Sequence, residues 1–136
     1  MRPMDTNDRR DAALQALVRI NRIWLDGDVE ALTAIVDANI VMVLPGFAAR
    51  IRGCDEFLAG FRDFCANAQV HDFHDHSYET DLIGDTAVIT FQYDMIYERS
   101  GERYQATGRD LWVLADRKSN WIAVWRALLD LQERPA

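Results

Sequence analysis

Cysteine is scarce in this chain, with two in 136 residues. Cys54 and Cys65 lie eleven positions apart in one helical pattern, too far along its axis to bridge each other. That excludes a small fold stapled by disulfides, and the pair reads as reduced core thiols of a cytoplasmic protein. Basic residues are also in deficit: 15 against 22 acidic ones leave a formal charge of -7. Nucleic acid and anionic membranes are therefore poor partners, and a neutral or weakly polar small molecule fits better. No segment approaches the length of a membrane span, and Met1 to Arg10 carries no apolar run ahead of its charges, so no signal peptide is expected. Repeats, linkers and low-complexity tracts are missing too. What is present is ordinary globular composition, 49% hydrophobic and 10% aromatic, which suits a single domain over 1–136 with its core at about 8–132.

Thr6, Asn7 and Asp8 offer N-cap oxygens to a helix in which Leu14, Leu17, Val18, Trp24 and Leu25 recur at helical spacing, ending at Asp26-Gly27. Asp28 is placed to cap a second, short helix burying Leu32, Ile35 and Val36. A strand is expected over Ile40 to Leu44, closed by Pro45-Gly46, with a brief returning strand over Phe47 to Arg52. Phe57, Leu58, Phe61, Phe64, Cys65 and Ala68 mark a third helix that finishes near Asn67. Beyond Val70 the pattern is antiparallel sheet, with turns at Gly84-Asp85, Ser100-Gly101 and Arg117 to Asn120. Three helices followed by a meander of long strands predict an α+β fold with helices packed on one face of a curved, mainly antiparallel sheet.

The turns set a register. A two-residue loop at Ser100-Gly101 pairs Arg99 with Glu102, Tyr97 with Tyr104, Tyr93 with Gly108 and Phe91 with Asp110. The same rule at Gly84-Asp85 sets Leu82 against Ala87, Tyr78 against Phe91 and His76 against Tyr93. Pairing Asp116 with Trp121 brings Trp112 against Trp125 and Asp110 against Ala127, whereas a slip of one residue there points Arg126 at Asp110. The predicted inner face carries His76, Tyr78, Phe91, Tyr93, Asp110, Trp112, Trp125 and Leu129. Asp110 stands alone among apolar neighbours, and a buried acid is costly unless paired or protonated.

The order of elements, with Trp24-Leu25-Asp26-Gly27-Asp28, Val43-Leu44-Pro45-Gly46, Gly84-Asp85-Thr86-Ala87 and Gly108-Arg109-Asp110-Leu111-Trp112, resembles the SnoaL-like branch of the nuclear transport factor 2-like superfamily. The resemblance implies a cone in which a bent sheet wraps a long helix around an apolar pocket, and a homodimer through the outer sheet face. Members include ketosteroid isomerases, polyketide cyclases, dehydratases and epoxide hydrolases, and fold alone does not choose among them. By position, Asp110 matches the oxyanion-hole aspartic acid of a steroid isomerase. The place of the isomerase general base is Leu44, and the place of its tyrosine is Ile20, so isomerisation by the family mechanism is not implied. Epoxide hydrolases carry an Arg-x-Asp pair on one strand, whereas here Arg109 and Asp110 are adjacent and face opposite ways.

Three candidate catalytic residues remain. Asp110 would donate to a carbonyl or leaving oxygen, His76 would move a proton and Tyr93 would orient the substrate, as a lyase, cyclase or isomerase requires. The alternative is that Asp110 is a satisfied core group tied to Tyr93 or a tryptophan N–H. Trp24, Leu44, Phe57, Phe61, Tyr78, Phe91, Trp112, Trp125 and Leu129 form either a ligand-binding wall or a filled core. His71, His74 and His76 with Asp72 and Asp75 invite a metal, but alternation puts His71 on the opposite face from the other two, so neither metal nor cofactor is expected. The last strand is apolar on both faces. Val88, Thr90, Ile96, Leu111, Val113, Ile122, Val124 and Leu128 make an outer patch suited to a dimer, with Arg109 and Arg126 as polar contacts. Three classes stay open: a small-molecule enzyme, a non-catalytic binder of an apolar ligand, and an oligomerisation module with a filled interior.

Overall fold

The computed structural model describes residues 5–136. Helix α1 (Thr6–Leu25) begins one residue earlier than the capping pattern suggests, because Asp5 is the N-cap and its Oδ1 accepts the Asp8 N–H at 2.8 Å. It stops at Asp26, and Gly27 takes φ +82°, the left-handed conformation that costs glycine least. The expected second helix is a 3₁₀ helix over Val29–Ala34 with no side-chain cap from Asp28. Strand β1 (Val36–Val43) starts four residues before the expected Ile40. The hydrophobic spacing there fits both states. Pairing decides, since β1 lies parallel to the last strand and the Ala123 N–H donates to the Ile35 carbonyl. A 3₁₀ turn at Pro45–Phe47 leads to β2 (Arg50–Arg52), shorter than expected, and α2 (Cys54–Asn67) contains both free cysteines.

Four long strands follow: β3 (Ala68–Ile83), β4 (Thr86–Arg99), β5 (Glu102–Arg117) and β6 (Asn120–Pro135). The six strands form one sheet in the order β2-β1-β6-β5-β4-β3, and α1, the 3₁₀ helix and α2 pack against its concave face. Leu17, Ile20, Leu32, Leu58, Ile89, Trp112 and Leu114 are buried between the layers. No helix among the described residues is long and apolar enough to cross a membrane.

The β4–β5 hairpin holds the predicted register throughout, from Arg99 opposite Glu102 to Phe91 opposite Asp110. Bulges alter the neighbouring pairs: the β3–β4 ladder shifts between Val70 and Asp72 and between His76 and Glu79, and the β5–β6 ladder between Arg109 and Asp110 and between Val113 and Leu114. On β3 the ladder shifts between His76 and Glu79, where Ser77 has φ +59°; His76 then pairs with Gln92 and Asp75 with Tyr93. On β6 the ladder shifts opposite Val113 and Leu114, so that Trp112 pairs with Arg126, Val113 with Trp125 and Asp110 with Leu128. Each extra residue exchanges the faces of everything beyond it. His76 and Trp125 therefore leave the inner face, and Arg126 and Leu128 join it.

Tyr93 lies across Gly108, where an added methyl group would come within 2.5 Å of the phenol oxygen. The ring is 8% exposed and stacks on Phe73 at 5.6 Å, so it has little room to give way. Gly108→Ala should cost about 1–3 kcal/mol through overpacking, measured by urea denaturation. A variant as stable as the parent would show that Tyr93 repacks freely.

Candidate functional site

The concave side of the sheet encloses a cavity of about 340 Å³, within the range of small-molecule sites. A cavity of this size speaks against an interior packed solid. Aromatic rings from every layer make most of its wall: Trp24 from α1, Phe57, Phe61 and Phe64 from α2, and Phe73, Phe91 and Tyr93 from the sheet. They pack edge-to-face and offset, as ring quadrupoles favour, with Trp24 5.6 Å from both Phe61 and Phe73. Leu44 also lines the cavity, where an isomerase would carry its base, and Ile20 is wholly buried.

The polar element is a buried ion pair. Asp110, 2% exposed, accepts three hydrogen bonds on Oδ2: from Trp112 Nε1 at 3.1 Å, Arg126 Nε at 3.1 Å and Arg126 Nη2 at 2.8 Å. Asp110 Oδ1 is buried without a partner among the described residues. Arg126, with 14% of its side chain exposed, lies over Trp112 at 4.8 Å and Phe61 at 5.6 Å. Its Nη1 makes no hydrogen bond among the described residues. Oδ2 of Asp110 is thus an acceptor that holds a guanidinium, and Arg126 moves from the outer patch to the cavity wall.

The other sequence-derived residues divide. Trp24, Leu44, Phe57, Phe61, Phe91, Tyr93 and Asp110 line the cavity as expected. Trp112 is fully buried behind it, and Tyr78 stacks on Phe91 at 4.9 Å while donating to Asp75 at 2.5 Å. Trp125 and Leu129 do not face it: Trp125 pairs with Val113 on the outer face, and Leu129 falls in a break of the β5–β6 ladder and is 43% exposed. His76 also lies outside, 3.1 Å from Asp94 and 2.9 Å from Ser77 Oγ, stacked on His74 at 5.2 Å. It has no access to the pocket and drops out as a catalytic base. Among the described residues no group of three or more His, Cys, Asp or Glu side chains is arranged to hold a metal.

Sequence reasoning missed Asn21, Met42, Phe73, Met95, Leu131 and Glu133 as cavity residues. Asn21 had a detectable signal, a polar residue on the apolar stripe of α1. Its Oδ1 accepts the Trp24 indole N–H at 3.1 Å and its Nδ2 donates to Tyr78 at 3.4 Å, so it is internally satisfied. Burial, then the Asp110 charge, pushes the Tyr93 phenol well above its ordinary range and keeps it a proton donor. Burial likewise raises both cysteine thiols, which disfavours the thiolate.

Residues 17–120 match the SnoaL-like domain, and the chain belongs to that family. No curated protein matches it. Among solved structures, a ketosteroid isomerase-like protein from Erwinia carotovora atroseptica is similar with a TM-score of 0.78 at 15% identity, over 96% of this chain and 99% of that one. An NTF2-like protein from Cytophaga hutchinsonii is similar with a TM-score of 0.76 at 17% identity, over 93% and 98%. The S. rosetta CaMKII hub is similar with a TM-score of 0.70 at 19% identity, over 99% and 100%. At such identities the likeness is one of fold.

Removing one partner of a buried pair strands the other. Arg126→Met should cost about 3–5 kcal/mol, while the double variant Asp110→Leu with Arg126→Met should recover most of the loss. Chemical denaturation of the wild type, both single variants and the double variant closes the cycle, and purely additive costs would show that the two charges do not depend on each other.

Proposed function

We propose that this chain is a pocket protein for a compact, largely apolar small molecule bearing a carbonyl or hydroxyl oxygen, and that Arg126 meets that oxygen. The observation that carries the reading is a guanidinium pinned by Asp110 between two rings, with Nη1 unengaged, in the wall of an aromatic cavity. A charged donor in a nearly dry site is strong, and it costs little to orient because Asp110 and the rings already hold it. Tyr93, kept protonated, is a second donor on the same wall. Asp110 is then a positioning residue rather than the donor.

A second reading rests on Asp110 Oδ1, which is buried and has no hydrogen-bond partner among the described residues. A carboxylate held by one oxygen offers the other as a base, and proton abstraction beside a carbonyl is the step shared by isomerases, cyclases and many lyases. One experiment serves both readings: titrate a cyclohexanone carrying a phenyl group opposite the carbonyl, in deuterated water, following binding by calorimetry and α-hydrogen exchange by NMR. Arg126→Met, at temperatures where it stays folded, should weaken binding by about tenfold or more. Exchange in the wild type that falls at least ~100-fold in Asp110→Asn makes the chain an enzyme. Binding without exchange makes it a binder, and equal affinity in Arg126→Met rejects the assigned role of that residue.

Self-association through the outer face belongs to the same proposal. Val88, Leu111, Val113, Ile122 and Trp125 form an apolar band there that a single chain leaves partly open. Val113→Glu should yield monomers in sedimentation, and an unchanged assembly would place the contact elsewhere.

A further inference from the structure

We infer that the ligand is two-ended, a neutral molecule with an acceptor oxygen at Arg126 and a hydroxyl at the opposite, open end that donates to Glu133. The inference rests on the pocket reading above and adds Glu133 as the residue that selects the ligand. Along β6, Arg126, Leu128, Leu131 and Glu133 line the cavity in succession. Their partners on β5 are Trp112, Asp110, Gly108 and Ala106. The guanidinium reaches Asp110, so it sits near the Leu128 level. From Asp110 to Ala106 is four residues, about 13 Å of strand.

Between those ends the wall is mainly apolar, with the Tyr93 hydroxyl at the Gly108 level as its one donor beside Asn21 among the described residues. Leu128, Leu131, Met95, Phe64 and Phe73 supply it, and Asn21 has its amide committed to Trp24 and Tyr78. At the far end Glu133 Oε1 accepts the Tyr97 hydroxyl at 2.9 Å, while Oε2 has no hydrogen bond among the described residues. Burial and this bond push the Tyr97 phenol up to about 12, so the tyrosine remains the donor and Glu133 the acceptor. The arrangement reads lengthwise as charged donor, apolar stretch, charged acceptor. Asp110 already neutralises Arg126, and an uncompensated carboxylate at the other end disfavours an anionic ligand. Leu131 is 37% exposed and Glu133 is exposed, which marks this end as the entrance.

A hydroxyl donating to a carboxylate strengthens binding by roughly 10–100-fold over a compound lacking it. The test compares three probes by calorimetry: the phenyl-bearing cyclohexanone, its para-hydroxyphenyl counterpart and its para-aminomethylphenyl counterpart. Wild-type protein should prefer the hydroxyl probe over the phenyl probe by about tenfold or more. Glu133→Leu should bring that ratio close to one, and Glu133→Gln, which keeps an acceptor oxygen without charge, should give an intermediate ratio. Equal affinity of the wild type for the two probes, or a preference that survives Glu133→Leu, overturns the inference and leaves the pocket reading standing. Preference for the aminomethyl probe overturns the hydroxyl assignment in favour of a cationic group. Failure of all three probes to bind the wild type strikes the pocket reading itself, and this inference falls with it.

Discussion

Asp110 and Arg126 must answer each other, because neither charge has adequate water and each would be costly alone. In an unbulged β6 the alternation sends Trp125 inward and Arg126 outward, and Asp110 is then stranded under the sheet. The extra residue opposite Val113 and Leu114 reverses those faces. The ion pair and the bulge therefore specify one another: the bulge delivers the guanidinium, and the carboxylate penalises every register without it. A buried pair of this kind contributes little net stability against an apolar replacement. Its consequence is a single register, and with it the placement of Trp112, Phe61 and the cavity wall between them.

The bulge on β3 complements this from the other edge. Ser77 at φ +59° accommodates the extra residue at some backbone cost, turning His76 toward Asp94 while Tyr78 remains stacked on Phe91. Bulges add local twist and bend. With such bulges on each side of the in-register β4–β5 hairpin, the sheet curves around α1 and α2, and that curvature opens a void where a flat sheet would pack solid.

The two long helices, the antiparallel run of the last four strands and the central hairpin were legible because each carries a local signal. Gly27 closes α1, Ser100-Gly101 fixes a loop length, and period-two alternation runs unbroken through β4 and β5. The bulges were not legible. From Trp121 to Leu129 β6 is apolar on both faces except at Arg126, so a slip violates no pattern. Ser77 sits in a polar stretch where either face suits it. One clue did survive: an acid on the apolar face of β5 needs a cation, and Arg126 was one residue out of register. Requiring Asp110 to be paired would have selected the bulged alternative. The start of β1 was hidden for a related reason, since Ile35 and Val36 suit a helix face as well as a strand, and only the parallel pairing with β6 decides between them.

Membership of the SnoaL-like family accounts for the shape of the pocket and leaves its chemistry to this chain's own side chains. With Leu44 on the wall and Ile20 sealed in the core, the polar groups that mark a steroid isomerase at those positions are absent, and the charged group in the cavity wall beside Asp110 comes from another strand, as Arg126. Asp110 then differs from an isolated acid in one respect that matters for reactivity. All three of its donors fall on Oδ2, between 2.8 and 3.1 Å, so one oxygen carries the structural load while the other keeps its lone pairs in a nearly dry environment. A low local dielectric strengthens whatever hydrogen bond that second oxygen makes. The same carboxylate can thus hold Arg126 in place through one oxygen while the other keeps its acceptor capacity.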